Sequence, residues 1–461
     1  MKDLNKFIKS TGVFLIGNVL SKTIVFFMLP LYTKYLSPSD FGVYDLHIAY
    51  ITFLSSILFL DIWDGIMRFM FDYSATKDKM KPIIAGSLIF FVSTILYSIA
   101  VFLLGNIMGI EFKGLLFLYG LLMNASNMMG YIARGYGENV IFALGGIVNT
   151  IATVFCNIVF IAVFHKGYEY LYVSSCIGLI LNTTLIGYKI KYLSILKSKK
   201  LEFQLLKSMI IYAAPLSVNS MAYWFLTSYN KVVINNQLTS FENGLYAVAN
   251  KFSSMINIFT QCFQMAWQEL TFSKAGIDQY EKSKFYTKAI NEYIQFLYLG
   301  MILVIPAIYI VFPYMIDPQY EKARILIPLA LLATFLSCIS SFIASICSTI
   351  KKNKYLFTTT IMGSIINIII INLCINIIGV QAASFSLSIG FLIVVIRRLQ
   401  LIKKFIDIKL SMKKFIGLSL LFSISCTIFI YGNIVLNIVS FICILCFISY
   451  IYLDKIKNII K

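Results

Sequence analysis

LSPSDFGVYDL, residues 36–46, is a short polar break between two long apolar runs, and it nearly returns as LTSFENGLYAV at residues 238–248. Gly42 and Gly244, and likewise Tyr44 and Tyr246, are related by one offset of 202 residues. Both copies carry the chemistry of a helix start. Ser37 with Asp40, and Thr239 with Glu242, stand three apart as in a capping box, which satisfies amide donors left free at a helix N-terminus. Pro38 suits the first helical position, where its missing N–H costs nothing. A repeated helix start in repeated apolar surroundings predicts a chain built from two related halves.

Those surroundings define the class. A hydrophobic share of 59% and a mean hydropathy of +0.84, spread along all 461 residues, leave no room for a sizeable soluble domain. The run from Val13 to Leu36 is too long for a signal peptide and lacks a small-residue cleavage site, so it reads as a retained first span. Apolar runs of crossing length predict about fourteen helices, at 11–36, 40–71, 82–105, 113–134, 139–164, 168–192, 208–235, 242–274, 285–315, 321–350, 354–377, 381–402, 412–431 and 434–453. The fold class expected is therefore an all-α polytopic membrane protein.

A net charge of +19 would suggest nucleic acid in a soluble protein. Here the basic residues fall in alternate loops, around 77–81, 189–200, 274–288, 351–354 and 397–414, which is the positive-inside pattern. The charge reports topology and some contact with anionic membrane lipids, not nucleic acid. Lys113, Lys166, Lys322 and Arg324 are the main exceptions. Basic residues near both ends and an even span count put both termini in the cytoplasm.

The basic stretch 193–207 is the natural seam. It divides the chain into a six-helix bundle at 1–192, a cytoplasmic connector at 193–207, a second six-helix bundle at 208–404 and two appended helices at 405–461. Because six is even, the halves are parallel repeats related by an axis along the membrane normal.

Charges inside spans cost about 2.5–3.5 kcal/mol each at a helix centre on insertion scales, so each asks for a reason. Lys22 lies midway in span 1. Asp61, Asp64 and Arg68 share a face of span 2, where Asp64 and Arg68 can pair at i,i+4 and Asp61 is left to take a proton, another cation or Lys22. Arg134 closes span 4, where snorkelling competes with a substrate contact, and Lys231 lies near the outer end of span 7 with the same ambiguity. In span 8, Asn250, Ser254, Asn257, Gln261, Gln264 and Gln268 recur every three or four residues as one polar stripe. Such a stripe either lines a wet cavity or glues helices together. Cys443 and Cys446 have CxxC spacing, but they sit in a span with no second pair or histidine nearby and read as small packing residues. No phosphate-cradling loop and no nucleophile–base arrangement is present, so neither cofactor nor enzymatic activity is expected.

The stretches MLPLYTKYLSPSDFGVYDL (28–46), DGIMRFMF (64–71) and NGLYAVANKF (243–252) resemble the signature of bacterial Wzx-like polysaccharide and O-antigen flippases, of the multidrug/oligosaccharidyl-lipid/polysaccharide (MOP) exporter superfamily. The resemblance implies a flippase in the cytoplasmic (inner) membrane that moves polyprenyl-diphosphate-linked oligosaccharides of the undecaprenyl type, for O-antigen or capsule. It implies a cationic central cavity to which Arg68 contributes; joined to the residues above, substrate contacts are expected at Lys22, Arg68, Arg134 and Lys231 and at Asn250, Asn257, Gln261, Gln264 and Gln268, with Lys22, Arg68 and Lys231 neutralising phosphates and the span 8 amides binding sugars. It also implies H+ or Na+ coupling through Asp61 or Asp64, and a polysaccharide polymerase and chain-length proteins as partners. Relatives often carry an Asp-Arg pair where this chain has Asn230-Lys231, and a proline where Gln268 follows Trp267. The alternatives are a drug/cation antiporter or a peptidoglycan-precursor flippase of the same superfamily. A membrane-embedded polymerase or glycosyltransferase is disfavoured, because no large outward loop with catalytic residues is present.

Overall fold

A computed structural model of the chain describes residues 21–75, 77–197, 202–273, 278–350, 352 and 354–460. They are helical almost throughout, with no strand among them. Twelve of the described helices are long and apolar enough to cross a membrane, so the protein is a multi-pass membrane protein. The first ten residues of span 1, 11–20, lie outside the described residues. Span 8 is α11 below, which is long enough at 34 residues but carries the polar stripe.

The chain forms two compact units, residues 1–232 and 233–461. Unit 1 holds α1 (Leu29–Tyr35), α2 (Pro38–Leu58), α3 (Ile62–Met70), α4 (Met80–Ile107), α5 (Lys113–Gly135), α6 (Asn139–Asn157, continued as a π-helix over Ile158–Val163), α7 (Glu169–Lys189), α8 (Tyr192–Leu196) and α9 (Phe203–Thr227). Helix α9, which the repeat offset assigns to the second half, packs against α2, α3 and α4 of this unit. The unit boundary therefore lies one helix beyond the seam read from sequence, inside α10 (Tyr229–Gln237). The unit core gathers Ile62, Ile66 and Met70 of α3, Ile83 and Ala85 of α4, Met129 and Ile132 of α5, and Met209 and Ala213 of α9.

Unit 2 holds α11 (Ser240–Ser273), α12 (Gln279–Met315), a 3-10 turn (Pro318–Leu326), α13 (Ile327–Thr349), α14 (Lys354–Ile378), α15 (Gln381–Lys403), α16 (Met412–Tyr431) and α17 (Ile434–Ile460). Helices α13, α14 and α15 pack closely. Gly363 permits this, since a Cβ there would stand 3.0 Å from the carbonyl oxygen of Gly390. The appended α16 is tied to α12 by Asn291, which donates to Lys409 O at 2.8 Å and accepts from Ser411 N at 2.8 Å.

The first repeated helix start is capped, and the second pairs the same two side chains. Ser37 Oγ accepts from Asp40 N at 3.1 Å and donates to Asp40 Oδ2 at 2.8 Å. Thr239 Oγ1 donates to the Glu242 carboxylate. The acid thus binds the cap hydroxyl, where a full capping box would have it accept from the cap's own amide.

Two expectations change. Span 2 is not one helix: Leu60 and Asp61 have φ of 55° and 48°, left-handed values that break it into α2 and α3. Arg398, counted above with the basic loop residues, is only 6% exposed on α15. Its Nε donates to Thr359 Oγ1 at 3.0 Å, Nη1 to Ser340 O and Oγ at 2.8 Å each, and Nη2 to Thr360 Oγ1 at 3.1 Å. One guanidinium so knits α13, α14 and α15 together. Arg398→Ala should cost about 2–4 kcal/mol, since hydrogen bonds to charged groups carry about 1.5–3 each and the oxygens are left dry. Arg398→Lys should lose less. The apparent melting temperature of the purified protein in detergent checks this, and an unchanged midpoint for Arg398→Ala would refute the role.

Candidate functional site

The break between α2 and α3 organises the polar interior of unit 1. Helix interruption in a membrane is tolerated only where protein re-satisfies the freed backbone groups. Helix α9 does so. Ser217 Oγ donates to Ser56 O at 2.5 Å, an acceptor whose partner in an unbroken helix would be the amide of Leu60. One turn on, Ser220 Oγ donates to Asp61 Oδ2 at 2.5 Å, and Trp224 Nε1 donates to Ala49 O at 2.8 Å.

Downstream of the break, Asp64 enters the first turn of α3, where the helix dipole favours a carboxylate. Arg134 of α5, the Tyr131 hydroxyl and Asp61 all act on it electrostatically. Arg134 is half-buried, its guanidinium 5.2 Å from the Tyr131 ring centroid and 5.8 Å from that of Phe142. The structure therefore brings Asp61, Asp64 and Arg134 together. The local Asp64–Arg68 pair gives way to a different arrangement. Arg68 pairs with Asp72 at 2.5 Å, and their side chains are 52% and 49% exposed. Lys22 is exposed on the helical segment 21–27.

A second cluster joins the opening motif to α10. Lys231 Nζ lies 2.9 Å from both carboxylate oxygens of Asp45, with the side chains 18% and 16% exposed. Lys231 is thus held inside the unit and does not snorkel. The acid absent from position 230 is supplied across 186 residues of chain by Asp45. Sequence reasoning passed over Asp45, although the question put to Asp61 and Asp64, why a charge stands in an apolar run, would have found it. Ser220 and Tyr131 carried no such signal.

In unit 2 the stripe on α11 makes at least one interhelical bond: Cys338 Sγ of α13 donates to Asn257 Oδ1 at 3.2 Å. Asn250 and Gln264 are partly buried. The side chains of Gln261 and Gln268 lie outside the described residues. Another face of α11 is fixed by Trp267, which stacks on Phe342 at 4.2 Å and donates through Nε1 to Phe342 O at 3.3 Å.

Helices alone, interrupted and charged in the way described, define a polytopic membrane protein with a polar interior, and solved structures show which fold this is. The chain superposes on the lipid II flippase MurJ in its inward closed conformation over 96% of its own length and 99% of that chain, with a TM-score of 0.69 and 20% identity. An inward-facing multidrug-resistance MATE family transporter of the MOP superfamily matches over 87% of this chain and 95% of its own, with a TM-score of 0.65 and 13% identity. An outward-facing MATE transporter of that superfamily matches over 90% and 96%, with a TM-score of 0.57 and 14% identity. No family model and no curated protein matches the sequence. The protein therefore has the fold shared by MOP-superfamily transporters.

The Lys231–Asp45 pair yields a double-mutant cycle. Lys231→Ala or Asp45→Ala alone should each destabilise by about 3–5 kcal/mol, because one buried charge is left uncompensated. The double variant should cost clearly less than the sum. Thermal unfolding of the four proteins in detergent checks it, and simple additivity would show that the pair is not coupled.

Proposed function

We propose that the protein is a flippase that moves polyprenyl-diphosphate-linked oligosaccharide repeat units across the bacterial cytoplasmic membrane by alternating access, for surface polysaccharide biosynthesis. The observation that carries this reading is the likeness to a lipid II flippase over 96% of the chain. A lipid-linked glycan cannot cross unaided, since its charges and hydroxyls would meet hydrocarbon. The Wzx-like stretch around residues 28–46 supports an oligosaccharide repeat unit as cargo.

In this reading Lys231, Arg134, Lys22 and Arg68 take the diphosphate, and the amides of Asn250, Asn257, Gln261, Gln264 and Gln268 bind sugar hydroxyls. An arriving diphosphate competes with Asp45 for Lys231, exchanging one carboxylate for phosphate oxygens of the same charge sign. Asp61 and Asp64 couple the cycle to H+ or Na+. A polysaccharide polymerase and chain-length proteins would receive the exported unit, and both termini face the cytoplasm.

A peptidoglycan-precursor flippase shares this chemistry, and the cargo that accumulates on loss of the protein separates the two. A drug/cation antiporter is the second reading, supported by the MATE likeness. The cations at Lys231 and Arg134 speak against it, as they would repel a cationic drug.

Depletion in the host should leave complete repeat units on polyprenyl diphosphate facing the cytoplasm, with loss of surface glycan. Complementation with Lys231→Ala or Arg134→Ala should restore roughly a tenth or less of wild-type export, the effect of losing one charge-assisted contact. Unchanged surface glycan and precursors on depletion, with lipid II sidedness also unchanged, would remove the flippase reading and leave drug-efflux assays to test the other.

A further inference from the structure

Residues 405–411 join α15 to α16 and lie as a strap along α12. Four residues of α12, spaced four apart, hold it. Gln279 donates to Phe405 O and Ser283 to Asp407 O, Thr287 Oγ1 accepts from Lys409 N at 3.2 Å, and Asn291 takes Lys409 O and Ser411 N. Every second strap residue is gripped, because four helical residues rise about 6 Å and two extended residues about 6.6 Å. Buried Ile406 and Ile408 alternate with exposed Asp407 and Lys409, as in an extended chain.

The strap fixes a dense set of exposed lysines. Lys403 and Lys404 precede it, Lys409 lies on it with its side chain 82% exposed, and Lys413 and Lys414 open α16. Among the described residues a single carboxylate comes within ion-pair distance of any of the five, that of Asp407 at 3.9 Å from Lys409. No acid accompanies Lys413 and Lys414 in the first turn of α16, where the helix dipole disfavours a cation. Cations gathered in this way call for an anion.

The surroundings of Lys413 say which anion. Lys413, Ile416, Leu420 and Ile424 are spaced three, four and four apart and so share one face of α16. The three apolar residues are 57%, 61% and 55% exposed, on a helix long and apolar enough to cross a membrane. Leu418, Phe422 and Phe429 on the opposite face are buried, and Phe429 meets the Tyr309 ring of α12 at 5.6 Å. The exposed face runs about 16 Å from Lys413 to Ile424, close to the depth of one leaflet of a hydrocarbon core about 30 Å thick. Lys413 thus heads a stripe turned to hydrocarbon, at the level of lipid head groups.

We propose that the strap and the first turn of α16 form a site for an anionic phospholipid, its phosphate taken by Lys409 and Lys413 and one acyl chain laid along Ile416, Leu420 and Ile424. Lys403, Lys404 and Lys414 strengthen the field. Basic clusters immediately outside a membrane helix select anionic head groups, and an ammonium–phosphate contact is stronger than a neutral one. A soluble anion or an acidic protein would make no use of the stripe. The site depends on the chain crossing a membrane and not on the cargo proposed above.

Photocrosslinking reads the site locally. The full-length protein in phosphatidylcholine vesicles receives a trace of phosphatidylglycerol or phosphatidylcholine bearing a diazirine at the same acyl carbon, and labelled peptides are mapped by mass spectrometry. Phosphatidylglycerol should label the segment 405–424 at least about fivefold more, the effect of one lysine beside an anionic head group. Lys409→Gln with Lys413→Gln should bring it down to the phosphatidylcholine yield, while Lys409→Arg with Lys413→Arg should keep the preference. Lys189→Gln with Lys191→Gln, which removes two exposed charges from unit 1, should leave it unchanged. Equal labelling by the two probes, a preference that survives the paired glutamines, or an equal loss in the unit 1 variant would each overturn the proposal. Replacing chloride with inorganic phosphate at constant ionic strength should not alter the labelling, and a fall to the phosphatidylcholine yield would mean a soluble anion instead. Should the paired glutamine variant fail to fold, Lys413→Gln alone decides, with a partial loss expected and an unchanged preference overturning the site.

Discussion

Two consecutive left-handed residues, Leu60 and Asp61, govern unit 1. Each costs about 1–2 kcal/mol for a side chain with a Cβ, and neither glycine nor proline is there to lower it. The conformation persists because its neighbours hold it from several sides. Ser217 and Ser220 of α9 bind the carbonyl and carboxylate at the break, while Ile62 and Ile66 immediately after it are fully buried. In hydrocarbon an unsatisfied backbone group costs several kcal/mol, so the break and the α9 packing require each other. Helix α9, which the offset would assign to the second half, is thereby tied into the first unit. The break also re-aims α3, bringing Asp64 into the field of Arg134.

The two units bury positive charge by different means, and the difference bears on function. Arg398 spends its planar fork on neutral oxygens from two neighbouring helices. Such a group is fixed in direction, and any movement of α13, α14 or α15 apart would strip several bonds at once. Lys231 is a compact ammonium on a flexible stem, bound to one carboxylate that an anion can replace. A buried pair gains little net stability, since desolvation consumes most of the Coulomb energy. Under the function proposed above, exchanging Asp45 for a phosphate would therefore be energetically close to balanced.

Much of this was legible in the sequence. Apolar run length placed the crossing helices, and at the first of the repeated helix starts Ser37 caps the amide of Asp40 as the spacing predicts. The break in span 2 was illegible because Leu60-Asp61 contains no glycine, and one aspartate, though tolerated in the left-handed region, does not announce two consecutive left-handed residues. The Asp64–Arg68 pair was misjudged because i,i+4 spacing permits a contact without selecting it. A competing acid four residues on, Asp72, sits where Arg68 reaches the exposed end of α3. Lys231 and Asp45 meet through tertiary packing, to which no periodicity points. Arg398 was hidden by the same rule that succeeded elsewhere: counting basic residues near span ends reads topology but does not distinguish a solvated guanidinium from a buried one.

The offset between the two similar stretches also allows the charged positions to be compared. Carrying the offset of 202 along the chain puts Ala247 opposite Asp45, Phe263 opposite Asp61, Ala266 opposite Asp64 and Leu336 opposite Arg134. Every charge that the first unit gathers has an apolar counterpart in the second. The backbone follows the same asymmetry, for α11 runs unbroken through the position that matches the break, and Phe263 there stacks on Tyr293 at 5.1 Å. Positions related by the offset thus differ both in charge and in helix continuity. The interrupted helix is the condition for burying the carboxylates, because only a broken segment turns Asp61 toward a hydroxyl donor on α9. The charged groups that the described residues bring together, Asp61, Asp64 and Arg134 as well as Asp45 and Lys231, thus belong to the first unit, while the stripe of α11 in the second is built of neutral amides and hydroxyls.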